Sequence, residues 1–201
     1  MISEIGQLVI QQTAKQIRKW NDQGFHNICI SVNIVAQQLR RGQLLDDLDE
    51  AIKLNCISGS NLELEITESS LVENSETVMN VLNQIKERDI NISLDDFGTG
   101  YSSLSYLAEF PIDILKIDRS FVSKIGEAKQ DAIVSAMVAM GKAMGMKVVA
   151  EGIETEQQLD FLRQLGCDIA QGYLFSKPLP EQQATEFLEQ NMTPETYTYQ
   201  V

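Results

Sequence analysis

At 201 residues, 43% hydrophobic and 22% charged, the chain has the composition of a globular domain able to bury a full core, most simply as one domain. Its formal net charge of −13, from 29 acidic against 16 basic residues, argues against a nucleic-acid polymer as partner, because a surface that tracks phosphates needs Lys and Arg in excess. A small anionic ligand stays open, since bound cations can reverse the local field.

Cys29, Cys56 and Cys167 occur singly, without a C-x-x-C spacing, and read as reduced thiols rather than disulfides or zinc ligands. No apolar run approaches membrane-spanning length and no signal peptide opens the chain, so a soluble, cytoplasmic domain without membrane contact is expected.

In chain order, Ile5 to Asp22 places Ile5, Leu8, Val9, Ile17 and Trp20 at helical spacing, with Gly24 as a stop. A β-type run, Ile28 to Asn33, comes next. A helix over Leu44 to Leu54 precedes the strand Leu62 to Thr67, and a helix over Thr77 to Arg88 precedes the strand Ile92 to Asp96. A short helix around Leu104 to Leu107 leads to the strand Ile114 to Ile117. The helix Asp131 to Met144 stops at Gly145, a left-handed C′ position, before Lys147 to Glu151. Thr155 with Gln158 makes a capping box for a helix that stops at Gly166. A last strand, Asp168 to Tyr173, leads through Pro178 and Pro180 to a closing helix over Glu181 to Gln190, and the polar stretch 193–201 reads as an appendage.

Strand–helix alternation with short connections specifies a parallel α/β fold, either an open doubly wound sheet or a (β/α) barrel. No G-x-G-x-x-G comes after the first strand, and Gly98-Thr99-Gly100 reads as a turn. The barrel is favoured by where polar residues fall. Each apolar strand finishes on a group able to bind metal or phosphate: Asn33, Glu65, Asp95 with Asp96, Lys116, Glu151 and Gln171. Barrel enzymes draw their functional groups from the carboxyl ends of several strands, whereas a doubly wound sheet gathers them at one switch point.

These residue types fit one chemistry. Mg²⁺ and Mn²⁺ take oxygen ligands from carboxylates and amides, and carboxylates gathered in one cavity repel unless cations neutralise them. Asp95 and Asp96 would point to opposite faces of a regular strand, so both reach one site only if the chain turns, and Gly98 offers a place for it. Two metals could activate a water and stabilise the leaving oxygen of a phosphodiester, with Lys116 holding the water or the developing charge. Any one strand-end carboxylate is more often a cap or a solvated loop residue, but six successive strands repeating the accident is improbable. Glu63 shares a face with Glu65 without an evident role; Glu68 and Glu154 lie three residues past Glu65 and Glu151, where supporting roles are as natural as ligation. His26, the only histidine, opens a strand away from that face, which disfavours a Ser-His-Asp or Cys-His arrangement with Ser102 or Ser103. Trp20 and the methionines of the 131–144 helix read as packing residues.

From Met1 to about Pro180 the chain resembles the EAL domain, the bacterial phosphodiesterase domain that linearises cyclic di-GMP. The resemblance rests on Ser31-Val32-Asn33, Leu64-Glu65-Ile66-Thr67-Glu68, Asp95-Asp96-Phe97-Gly98-Thr99-Gly100 and its continuation to Leu104, Lys116-Ile117-Asp118-Arg119-Ser120-Phe121-Val122, Ala150-Glu151-Gly152-Ile153-Glu154, and Gln171-Gly172-Tyr173 with its continuation to Pro180. It implies a TIM-type barrel and a two-metal site for Mg²⁺ or Mn²⁺. Asn33, Glu65 and Asp95 would hold one metal, and Asp95 would bridge to a second held by Asp96 and Glu151. Lys116 and Gln171 would position the catalytic water and its surroundings. Glu68 would anchor the loop 97–103, which in this family also contributes to dimer contacts.

The family's Glu-Ala-Leu, whose Glu ligates the first metal, does not occur; Glu50-Ala51-Ile52 falls inside a helical pattern and reads as surface helix. The resemblance thus implies residues 1–192 as an EAL domain lacking its first two strands, six of eight being present, and then a tail at 193–201. It leaves two expectations: a phosphodiesterase chain of impaired activity, or a non-catalytic module that binds cyclic di-GMP or a protein. Strands left as edges invite homodimerisation or other self-association.

Overall fold

The computed structural model describes residues 2–40, 42–72, 75–98 and 108–191. The expected helix at 104–107, Thr99, Gly100, Ser102, Ser103 and the tail 193–201 lie outside them.

Six parallel strands are β1 (Ile30–Ile34), β2 (Leu62–Thr67), β3 (Asn91–Phe97), β4 (Ile114–Ile117), β5 (Lys147–Glu151) and β6 (Ile169–Gln171), hydrogen-bonded in sequential order. A doubly wound sheet reverses its strand order at a switch point. This order never reverses, so the topology is that of the (β/α) barrel class. The long helices are α1 (Ile2–Asp22), α3 (Gln43–Asn55), α5 (Ser75–Lys86), α7 (Ala128–Ala143), α8 (Glu156–Gln164) and α9 (Glu181–Asn191). The shorter α2 (Ala36–Arg40), α4 (Glu68–Val72) and α6 (Arg119–Val122) each begin one or two residues after a strand. Sequence periodicity does not reveal them, because four or five residues complete little more than one turn.

The residues gather into two compact units: residues 1–94 with 100–113, and residues 95–99 with 114–201. In the first, β1 and β2 pair so that Val32 faces Leu64 and Asn33 faces Glu65. Val32, Ile34, Leu62, Leu64 and Ile66 are all nearly inaccessible, and in both strands they alternate with the polar Ser31, Asn33, Glu63 and Glu65, so one face of the pair is apolar. Helix α1 turns Ile10, Ala14 and Ile17 inward, whereas Ile5, Leu8 and Val9, read from the sequence as part of the apolar stripe, are exposed. Glu50-Ala51-Ile52 is helical, as expected, but only Glu50 is exposed; Ala51 is wholly buried, because α3 packs against α1.

In the second unit β4 pairs with β5 and β5 with β6, with Lys116 opposite Val149 and Glu151 opposite Gln171. Gly145 takes φ 75° after α7, and the Thr155–Gln158 capping box opens α8. Strand β6 is shorter than the run Asp168 to Tyr173. Phe175 N–H and Ser176 N–H both donate to the Gly172 carbonyl, folding the chain into a turn before Tyr173 can extend the ladder.

The strand starts are tied down by one device in both units. Asp113, just before β4, accepts from Ile92 N–H at 2.8 Å and from Lys86 Nζ at 2.6 Å, while its own N–H donates to the Ile92 carbonyl. Asp168, just before β6, accepts from Val148 N–H at 2.8 Å and from Lys142 Nζ at 2.7 Å, and its N–H donates to the Val148 carbonyl. In each case the lysine closes the helix that feeds the clamped strand. Asn61, just before β2, donates to the carbonyls of His26 and Ile28.

Candidate active site

In the second unit, the carboxyl ends of β3, β4 and β5 bring Asp95, Lys116 and Glu151 together. The Lys116 ammonium, only 5% exposed, lies 2.7 Å from Glu151 Oε1 and 3.6 Å from Asp95 Oδ1. A buried ammonium is tolerated only where anions repay its lost hydration, and here two carboxylates do so. Parallel register explains the meeting: Ile117 faces Ala150, so the end of β4 lies beside the end of β5.

Asp96 breaks the alternation of β3. Its φ of 56° is left-handed, so the turn expected at Gly98 starts two residues earlier, and Gly98 continues it at φ 91°. Aspartate tolerates this conformation better than most side chains. Desolvation, then the charges of Asp95 and Asp118, push the Asp96 carboxyl above its ordinary value, with Lys116 opposing. Asp118, which sequence reasoning did not single out, is therefore within electrostatic reach of the site. It caps α6, accepting from Ser120 N–H at 2.9 Å. Burial pushes its carboxyl up, but the hydrogen bonds from Ser120 and Arg119 outweigh this and hold it below the usual range. The run Asp118-Arg119-Ser120 carries the helix N-cap signal that could have located it.

Gln171 ends β6 opposite Glu151. Its backbone is held by Ile153 N–H, which donates to the Gln171 carbonyl, and by Leu174 N–H, which donates to the Ile153 carbonyl. Gly172 permits this approach, since a Cβ there would collide with the backbone of Ile153. Gln171 also lines a cavity of about 600 Å³ with Leu159, Arg163, Ile169, Phe175 and Phe187.

In the first unit, Asn33 and Glu65 are paired across neighbouring parallel strands, Asn33 exposed and Glu65 8% exposed. Glu68 opens α4 and is 5% exposed.

The donor set is all oxygen, which suits a hard divalent cation better than zinc or copper. His26 lies in the turn before β1, at the opposite end of that strand from Asn33. Among the described residues no three acidic, histidine or cysteine side chains already converge on a point that could hold an ion. Within the second unit, Lys116 is the internal counter-ion of Asp95 and Glu151. The oxygen donors fit a divalent cation by chemistry, and the ammonium meanwhile offsets their repulsion.

Residues 1–178 match the family model described as the EAL domain. The chain is 41% identical over 189 residues to the cyclic di-GMP phosphodiesterase NbdA of Pseudomonas aeruginosa, a match covering 94% of this chain and 24% of that protein. Among solved structures, it resembles PaMucR phosphodiesterase in its c-di-GMP complex (TM-score 0.87, 41% identity, 91% of this chain and 74% of that one). It also resembles the EAL domain of Mycobacterium smegmatis DcpA (TM-score 0.89, 36% identity, 96% of this chain and 87% of that one). The chain spans about a quarter of the length of the curated relatives it matches. With nearly its whole length matched in order, the chain belongs to the EAL domain family.

Proposed function

We propose that this chain carries the phosphodiesterase site of an EAL domain, which binds cyclic di-GMP and opens one phosphodiester to give a linear dinucleotide. The observation that carries the reading is the buried Lys116 ammonium between Glu151 and Asp95 at the strand ends. A cation so placed can hold an attacking water by its oxygen and stabilise charge developing on the phosphoryl group. Family membership supports Asn33, Glu65, Asp95, Asp96 and Glu151 as ligands for Mg²⁺ or Mn²⁺, Gln171 as a group orienting the water's surroundings, and Glu68 as an anchor for the loop 97–103. When bound, two such cations would supply Lewis-acid activation of the water and of the leaving oxygen.

The 201 residues contain no Glu-Ala-Leu, so one carboxylate of the family pattern is not among them. Turnover by these residues alone is expected to fall far below that of a domain with the full ligand set. The test is chromatography of cyclic di-GMP incubated with the chain and Mn²⁺, beside Lys116→Met and Glu151→Gln. Slow linearisation that both variants abolish supports the reading. Binding without turnover favours the non-catalytic module, and neither binding nor turnover removes cyclic di-GMP as the ligand. Self-association is read in parallel by light scattering.

A further inference from the structure

Beyond Lys116, Glu151 and Gln171 stands a second tier of side chains. Arg119 lies three residues past Lys116, Glu154 three past Glu151, and Tyr173 two past Gln171. The Arg119 guanidinium pairs with Glu154 at 2.5 Å and stands over the Tyr173 ring at 6.0 Å, while Lys177 Nζ stands over the same ring at 5.9 Å. Tyr173 is 52% exposed and the Arg119 side chain 58% exposed. The tier is nonetheless built on close packing. A Cβ at Gly152, which has φ 72°, would strike the Arg119 side chain, and one at Gly172 would strike Ile153.

The charges do not cancel. Glu154 offsets Arg119, but among the described residues no carboxylate pairs with Lys177. The ring's quadrupole keeps both cations near it without neutralising either. In a chain of net charge −13, an uncompensated cation held above an exposed ring is an anion-recognition feature rather than ordinary surface. A cyclic dinucleotide carries two phosphodiesters. The one being cut is the concern of the strand-end carboxylates, their cations and Lys116; the other is an anion approaching an acidic protein, and needs its own counter-charge.

We propose that Arg119 and Lys177, positioned by Tyr173, recognise the phosphodiester of the cyclic dinucleotide that is not being cut. This rests on the functional reading above and adds to it a determinant of affinity. Arg119 offers a planar fork and Lys177 a point charge, so the pair can hold a phosphate from two directions. Tyr173 acts through them as a positioning residue.

The experiment is equilibrium dialysis of cyclic di-GMP against the full chain in Mg²⁺ at two salt concentrations, with the nucleotide checked for integrity at the end. Arg119→Ala and Lys177→Ala should each weaken binding about ten- to a hundredfold, the loss of one charged hydrogen bond. Their affinities should also depend less on salt than the wild type's. Tyr173→Phe should bind like wild type and Tyr173→Ala should lose part of the affinity. Lys129→Ala, an exposed charge on α7, controls for net charge, and circular dichroism confirms folding. Wild-type affinity and salt dependence in both cation variants would overturn the inference and leave the functional reading standing. A wild-type chain that binds no cyclic di-GMP overturns both.

Discussion

The two ends of the strands use the same residue types to opposite effect. At the starts of β4 and β6, Asp113 and Asp168 each sit between one lysine and one backbone N–H, so every carboxylate has its own donors. At the carboxyl ends, Asp95 and Glu151 share a single buried ammonium, and Asp96 is pushed up by the charges around it. One end gives each carboxylate a lysine of its own, and the other sets two carboxylates against one buried ammonium. In barrels this division separates groups that hold the fold from groups that hold the ligand. On the proposed function, charge repulsion at the carboxyl end would be a cost to stability that a bound cation relieves.

The sharpest way to break this comparison is Lys116→Met. The substitution keeps the buried stem and removes the counter-ion, leaving two carboxylates, each about one-fifth exposed, beside one another. Breaking a buried pair in this way should cost about 3 kcal/mol of unfolding free energy in metal-free buffer, measured by urea titration. Added Mn²⁺ should restore stability to the variant by more than it stabilises wild type. Equal stabilisation of the two would show that Asp95 and Glu151 do not act as ligands.

Next in size is Asp168→Ala. It leaves the N–H of the fully buried Val148 without its carboxylate acceptor and Lys142 without its partner. The expected loss is about 2 kcal/mol, or roughly 4–8 °C in Tm for a chain of this length. Cyclic di-GMP affinity should be unchanged. Burial pushes the Asp168 carboxyl up, but Lys142, the Val148 N–H and Lys147 together outweigh it and hold the carboxyl below its usual value. Its folded value being depressed, the stabilisation is complete above the unfolded carboxylate range near pH 4 and fades as pH falls through the lower folded value. The gap between wild type and Asp168→Ala should therefore close in acid. A constant gap from pH 7 down to pH 2 would assign the loss to packing alone.

The carboxyl ends were legible in the sequence because each functional residue closes an apolar run, and β2, β4 and β5 formed over the expected spans. The amino-end clamps were not, since Lys86 meets Asp113 across 27 residues and Lys142 meets Asp168 across 26. Their signal is a repeated spacing: a lysine six residues before the clamped position, and an aspartate one residue before the next strand. Such a repeat gains meaning only once the strands are known to be parallel neighbours. The left-handed backbone of Asp96 was equally hidden, because Asp-Asp-Phe reads as plain strand while the conformation belongs to a turn that runs on through Gly98. Asp118 and Arg119 escaped for a third reason: they lie just past a strand end, where period-two reasoning stops.

The smallest predicted effect has the opposite sign. Asp96 is exposed, so solvent screens most of the repulsion it feels from Asp95 and Asp118. Asp96→Asn removes that repulsion while keeping the shape, and should raise the metal-free melting temperature slightly at pH 7. Because the folded carboxyl lies above its ordinary value, wild type is penalised while Asp96 is ionised and recovers as pH falls through the carboxylate range. The advantage of the variant should therefore shrink in acid, just as the disadvantage of Asp168→Ala does. Added Mn²⁺ should reverse the order at pH 7, because at the proposed metal site wild type offers a charged carboxylate where the variant offers only a neutral amide oxygen. If Asp96→Asn lowers stability in the absence of metal, the carboxyl end is holding the fold as well, and the division between the two ends of the strands fails.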